Sequence, residues 1–147
     1  RINLWNEVIQ VNLTSVFLLT KGLLPLLDKS QSGRIIMTTA TVGRKGKAFW
    51  GAYGVSKAGI EILSNTLAEE LEKTSKTRLI KINPGRVATR MRSVTFPAED
   101  SEVLPKPQDI LDIFLWGLSS ESEAGHGKSL NCLDILKFRK KTKSSFR

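Results

Sequence analysis

Residues 33–59 read "GRIIMTTATVGRKGKAFWGAYGVSKAG", and how this stretch is read decides the fold. "RIIMTT" is a short apolar run that ends in hydroxyls, the pattern of a buried strand. "VGRKGKAFWG" is a glycine-punctuated loop, and from about Ala52 to Lys73 the spacing predicts a long helix. Val55, Ala58, Ile62, Leu63, Leu67 and Leu71 supply its apolar positions, and Glu69, Glu70 and Glu72 its solvent face. Strand, loop and long helix in this order make half of a βαβ unit.

The pattern continues outward in both directions. Residues 3–29 predict another long helix through Leu4, Trp5, Val8, Ile9, Val11, Val16, Phe17, Leu19, Leu23, Leu24 and Leu27. Asn12 interrupts its apolar pattern, and Pro25 is expected to bend or end it. On the other side, "RLIKIN" reads as a strand stopped by "PG", and residues 84–106 as an irregular segment containing Pro97 and Pro105. "KPQDILDIFLWGLSS" reads as a helix with Pro107 near its first turn, and "GKSLNCL" as a last strand. This alternation is that of an α/β protein with a parallel sheet. Three strands are few for two such long helices, so the sheet is expected to be completed by residues outside this chain.

Composition bounds the function classes. The length of 147 residues suits a single domain, and hydrophobic and charged contents of 40% and 25% are ordinary for a globular protein. A lone cysteine, Cys132, forms no internal disulfide and supplies no structural zinc site, which fits a reducing cytoplasm. The net charge of +9 is localised: "KFRKKTKSSFR", residues 137–147, carries six of the excess cations and no acid. The expected division is therefore a domain body over 1–136 and a basic, disordered tail over 137–147, with nucleic acid an unlikely partner. No signal-peptide pattern opens the chain. "VFLLTKGLLPLL", broken by Lys21 and Gly22, is too short to span a bilayer, so no membrane role is expected.

The chemistry begins at Tyr53, the only tyrosine, with Lys57 one helical turn on. A free phenol titrates near ~10 and is a poor acid–base catalyst at neutral pH. An ammonium at i+4 is expected to favour phenolate and lower that value. A phenol so tuned can give a proton to a carbonyl oxygen or take one from an alcohol. The Tyr-x-x-x-Lys spacing alone is common in helices, but three other features point to the same sheet edge. "TTAT" closes the first strand, Asn12 interrupts the first helix, and "INPGRVAT" closes the second strand in a turn followed by Thr89.

Taken together, "VNLTSVFLLTKGLLPLL", "GRIIMTTATVG", "YGVSK" and "NPGRVATRM" resemble, in order and spacing, the short-chain dehydrogenases/reductases. "VGRKGKAFWGAYGVSKAG", "TRMRSVTFPAED" and "DILDIFLWGL" look closest to the YciK-like subgroup of bacterial oxidoreductases. The resemblance covers the chain to about residue 131. It implies the C-terminal portion of a Rossmann-like, doubly wound parallel sheet, without the N-terminal dinucleotide-binding half. It also implies an oxidoreductase that interconverts a carbonyl and an alcohol with NADP or NAD. Tyr53 would be the general acid/base, and Lys57 would lower its pKa and bind the nicotinamide ribose. Asn12 would hold a water in a proton relay, and the turn of Asn83, Pro84 and Gly85, with Val87 and Thr89, would lie against the nicotinamide and its carboxamide. A small carbonyl or alcohol would be the substrate, and the complete protein would be a dimer or tetramer.

Two departures from the family stand out. Its substrate-orienting serine lies thirteen residues before the tyrosine, where this chain has Ala40. Thr39 or Thr41 could replace it, but neighbouring strand residues face opposite ways. The Gly-rich turn that cradles the pyrophosphate is not found in these residues. "GHGKS" is no P-loop either, since the required first glycine falls on Ser122. The fragment is therefore expected to be inactive alone, the alternative being a non-catalytic remnant or oligomerisation partner. His126 is expected to be a surface loop residue, and Trp5, Trp50 and Trp116 packing residues, with Trp50 near enough to Tyr53 to line a cleft. Phe96 and Met91 fall where the family has a mobile substrate loop.

Overall fold

A computed structural model describes the backbone of residues 2–144 and the side chains of residues 2–139. Three strands, β1 (Arg34–Thr38), β2 (Arg78–Asn83) and β3 (Ser129–Asn131), form one sheet in the order β1-β2-β3. Both pairings are parallel, with Thr38 opposite Ile82 and Asn83 opposite Asn131. The central β2 is buried on both faces, which explains its nearly unbroken apolar run; Leu79, Ile80 and Ile82 are fully buried.

Helices cover the two faces. On one, α1 (Ile2–Ile9), α2 (Ser15–Lys29) and α3 (Gly51–Thr74) enclose a core of Met37, Ile60, Leu67, Leu71 and Leu79, with Leu13, Val16 and Leu24 against it. On the other, α5 (Leu111–Leu118) and the start of α6 (Cys132–Ser144) pack Ile113 and Cys132 on Ile80 and Ile82. The short α4 (Arg90–Thr95) lies in the segment read as irregular. Helices on both faces of a parallel sheet are the doubly wound arrangement.

Several expectations need correction. The first helix is continuous from Ile2 to Lys29, passing through a π-helical turn at Gln10–Thr14 that carries Asn12. Pro25 does not end it, because it sits on the exposed side where water can satisfy the carbonyl that loses its partner. At 28 residues and a window hydropathy of 1.3 the helix has the length and composition to cross a membrane, well beyond the stretch considered above. In α3 the buried stripe runs through Ile60, Ser64, Leu67, Ala68 and Leu71, whereas Val55 and Ile62 are exposed on the far side of the 3.6-residue period.

The basic segment expected to be disordered from residue 137 instead continues α6 as far as Ser144, and residues 145–147 lie outside the described residues. Ile135 and Leu136 pack on the core, and Arg139 Nη1 donates to Asp112 Oδ2 at 2.6 Å. His126 is not a free loop residue. Its Nδ1 accepts from the Leu79 N–H at 3.0 Å and its Nε2 lies 2.8 Å from the Ala68 carbonyl. The neutral ring thus ties β2 to α3.

Candidate active site

The carboxyl ends of all three strands open into one cleft of about 870 Å³, with Thr38, Asn83 and Asn131 on its walls. In open parallel sheets this edge is where ligands bind. After β1 the chain turns through a short 3-10 helix, Thr41–Gly43. A Cβ on Gly43 would stand 2.7 Å from the Lys57 carbonyl carbon, so only glycine lets this loop lie against α3. After β2 the turn at Gly85 needs its positive φ of 75°, and Asn83 Oδ1 accepts from the Gly85 N–H at 3.0 Å.

Tyr53 and Lys57 project from the first turns of α3 into this cleft. Lys57 Nζ donates to the Thr38 carbonyl at 3.1 Å and stands 5.8 Å from the centroid of the Tyr53 ring. Burial raises the phenol above its ordinary value and lowers the lysine ammonium below its own. This reverses the lowering of Tyr53 that the i+4 spacing suggests. The ammonium is engaged on the Thr38 carbonyl, and desolvation is what shifts the phenol.

Asn12 reaches the same cleft from the π-helical turn, a distortion that re-aims a side chain out of the regular helical pattern. Its Nδ2 donates to Ser56 Oγ at 3.2 Å, and Ser56 Oγ donates to the Tyr53 carbonyl at 2.8 Å. Pro84, Gly85, Val87 and Thr89 form the opposite wall, with Thr89 Oγ1 capping α4 by accepting from the Arg92 N–H at 3.3 Å.

The threonines separate clearly. Thr39 is only 2% exposed and sits 3.5 Å from Arg44 Nη2, whereas Thr41 is exposed and accepts from Asn83 Nδ2 at 3.0 Å. Trp50, Phe96 and Met91 also line the cleft. Trp50 meets Tyr53 edge-on at 5.3 Å and stacks on Phe96 at 5.9 Å, with Lys47 Nζ over both indole and phenyl rings.

Sequence reasoning missed the cationic character of this wall. Lys45, Lys47, Arg86 and Arg92 line the cleft beside Lys57, and no carboxylate does among the described residues. The basic loop "GRKGK" was the available signal. Asn83 is expected in the turn against the nicotinamide, but the bond of its amide to Thr41 carries no mark in the sequence. Among the described residues no group of His, Cys, Asp and Glu could hold a metal.

The lysine, phenol and hydroxyl donors together with the backbone at 84–89 suit a ribose and a carboxamide, the polar parts of a nicotinamide nucleoside. Comparison with known proteins identifies the family. The family model for short chain dehydrogenase matches residues 1–100. The Escherichia coli K12 protein named uncharacterized oxidoreductase YciK is 41% identical over 127 residues, covering 86% of this chain and 50% of that protein. A 3-oxoacyl-[acyl-carrier-protein] reductase of Synechocystis is 40% identical over 87 residues, covering 59% of this chain and 35% of its own length.

Among solved structures, a short chain dehydrogenase from E. coli CFT073 complexed with NADPH superposes with a TM-score of 0.86 at 39% identity. That match covers 90% of this chain and 54% of the other. A short chain dehydrogenase from Pseudomonas syringae gives 0.84 at 43% identity, covering 87% and 52%. The chain spans about half the length of the relatives it matches. With its parallel sheet, its cleft and these matches, the chain belongs to the short-chain dehydrogenase family.

Proposed function

We propose that these residues form the catalytic half of an NAD(P)-dependent oxidoreductase that interconverts a carbonyl and an alcohol. The observation that carries this reading is the meeting of Tyr53, Lys57 and Asn12 in one cleft at the carboxyl edge of the sheet. The nicotinamide supplies the hydride when bound, and the residues of this chain handle the proton and the oxygen. The Tyr53 phenol is protonated at neutral pH, as its ordinary value near ~10 requires, and is ready to donate to the carbonyl oxygen in the direction of reduction. Lys57 would hold the ribose hydroxyls of the cofactor, and it keeps positive charge near the phenolate that forms. Asn12, its Nδ2 already used on Ser56, offers Oδ1 to the water that returns the proton.

Two solved relatives are complexed with NADPH and NADP, which supports the phosphorylated cofactor here. No Gly-rich phosphate turn is present in these residues, so the 147-residue chain by itself is expected to give no turnover. The exposed apolar faces of α1, α2 and α3 suit a homo-oligomer of the complete protein. Ala40 in place of the family's serine favours one rival reading, a non-catalytic remnant. Replacing Tyr53 with Phe in the complete protein decides between them. Oxidation of NADPH with a carbonyl substrate should fall at least ~10³-fold while the melting temperature holds; an unchanged rate sinks the enzyme reading.

A further inference from the structure

We propose that Thr41, fixed by Asn83, is the hydroxyl that holds the reacting carbonyl, taking over from the missing serine one residue further along the loop. This rests on the reading of Tyr53 as the proton donor. Residue 40 is alanine and offers no side-chain donor, so a second hydroxyl on the carbonyl oxygen must come from a neighbour.

The neighbours are not equivalent. Thr39 also borders the cleft, but it is only 2% exposed and its Oγ1 accepts from Arg44 Nη2 at 3.5 Å, so no face of its hydroxyl is open to a substrate. Arg44 closes that side: its Nε bonds Glu61 Oε1 at 2.8 Å and its Nη2 bonds Ser129 Oγ. Thr38 lines the cleft, but among the described residues no hydrogen bond fixes its hydroxyl, and its carbonyl is the group that engages Lys57. Thr41 lines the cleft and has a fixed hydroxyl.

The direction of that fixing follows from the Asn83 amide. Asn83 is only 3% exposed, and its Oδ1 must face the Gly85 N–H that it accepts. The NH₂ therefore faces Thr41 Oγ1 and donates to it. A threonine hydroxyl has two acceptor sites and one proton, so accepting from Asn83 leaves the Thr41 O–H free to donate. The close contact of Gly43 with the α3 backbone prevents the loop from drifting away. Thr41 is thus a preorganised donor that touches substrate, and Asn83 is a positioning residue acting through it. Loss of one such donor costs about 10²–10³-fold in rate in other enzymes.

The test uses the complete protein with NADPH and phenanthrenequinone, an aryl diketone suited to the Trp50–Phe96 wall. Thr41→Val should lower kcat about 10²-fold with the melting temperature held, and Thr41→Ser should stay within about threefold. Asn83→Asp keeps the acceptor for Gly85 N–H but presents Thr41 with an acceptor in place of a donor, capturing its proton. It should lose as much as Thr41→Val, and the double variant should lose no more than either single one. A Thr41→Val loss under about threefold overturns the proposal. So does an equal or larger loss in Thr38→Val or Thr39→Val, or additive losses in the double variant. Full activity in Tyr53→Phe, or a wild-type protein that does not oxidise NADPH with the diketone, overturns instead the reading on which it rests.

Discussion

The two long helices on one face of the sheet make opposite use of their residues. The helix from Ile2 to Lys29 is the more apolar, yet it buries no residue fully, and Leu4, Leu18, Leu19 and Leu26 are each more than half exposed. Helix α3 is the more polar, yet it buries seven residues, among them Ser56, Glu61 and Ser64. Burial here follows position over the sheet. The stripe of α3 from Ser56 to Leu71 lies across β1 and β2, so even its polar members are enclosed and must be satisfied locally.

Ser64 meets this need by donating to the Ile60 carbonyl. Glu61 does so with Arg44 at 2.8 Å and Lys81 at 3.3 Å. Burial pushes the Glu61 carboxyl upward, but the hydrogen bonds and charges of Arg44 and Lys81 outweigh it and hold the group below the usual carboxylate range.

The largest expected effect is the removal of that carboxylate. Glu61→Ala leaves Lys81, itself 6% exposed, with Asn65 Oδ1 as an acceptor but without its counter-charge, and should cost about 3–5 kcal/mol of stability in urea unfolding. Leu19→Ala, on the exposed face of the first helix, should cost under about 0.5 kcal/mol in a monomer. A larger loss at Leu19 than at Glu61 would break the contrast between the helices. Because Glu61 titrates below its unfolded value, its contribution is present above the unfolded carboxylate pKa and is lost as pH falls through the folded one. The Glu61→Ala variant should therefore show a flatter stability profile on acidification.

A smaller effect is expected at the clamp that joins α3 to β2. His126→Ala leaves the Leu79 N–H and the Ala68 carbonyl without their side-chain partner and should cost about 1–3 kcal/mol. Hydrogen exchange reads the same event, with the Leu79 amide losing protection first. If protection at Leu79 survives, the ring is not what holds the layers together at this point.

The smallest effect sharpens the electrostatic side of the contrast. Tyr53 is the only tyrosine, so phenolate absorbance titrates it alone, and its midpoint should lie above the ordinary value near ~10. The folded state then keeps a proton that the unfolded state has lost. The stability linked to this group is complete below the unfolded pKa and declines as pH rises toward the folded one. Lys57→Met should raise the midpoint further by removing the nearby cation. A midpoint below that of free tyrosine would show that the ammonium, not burial, governs the phenol.

The strands around Met37 and Ile80 and the helix from Gly51 were legible because apolar periodicity is local and burial on a sheet imposes it. The cleft was legible for a related reason: its residues stand at strand ends and helix starts, places that turn chemistry marks in the sequence. What stayed hidden depended on distant contacts. The Asn83–Thr41 bond joins residues 42 positions apart, and the Arg44–Glu61–Lys81 group joins a loop, a helix and a strand. The helical path of the basic segment past residue 137 was hidden as well, because its anchors, Ile135 and Leu136, precede the charges that dominate its composition.

By itself the sequence determined the order of strands and helices, the glycine at 85, and the set of residues that meets at the sheet edge. Each of these follows from local backbone sterics or from short-range periodicity, which a linear pattern encodes. Only the tertiary structure decided which of the cleft's threonines is exposed, which helix is buried, and that burial raises the Tyr53 phenol. These depend on which side chains the folded chain brings within a few ångströms and on how much water it removes around them. No local pattern fixes either quantity.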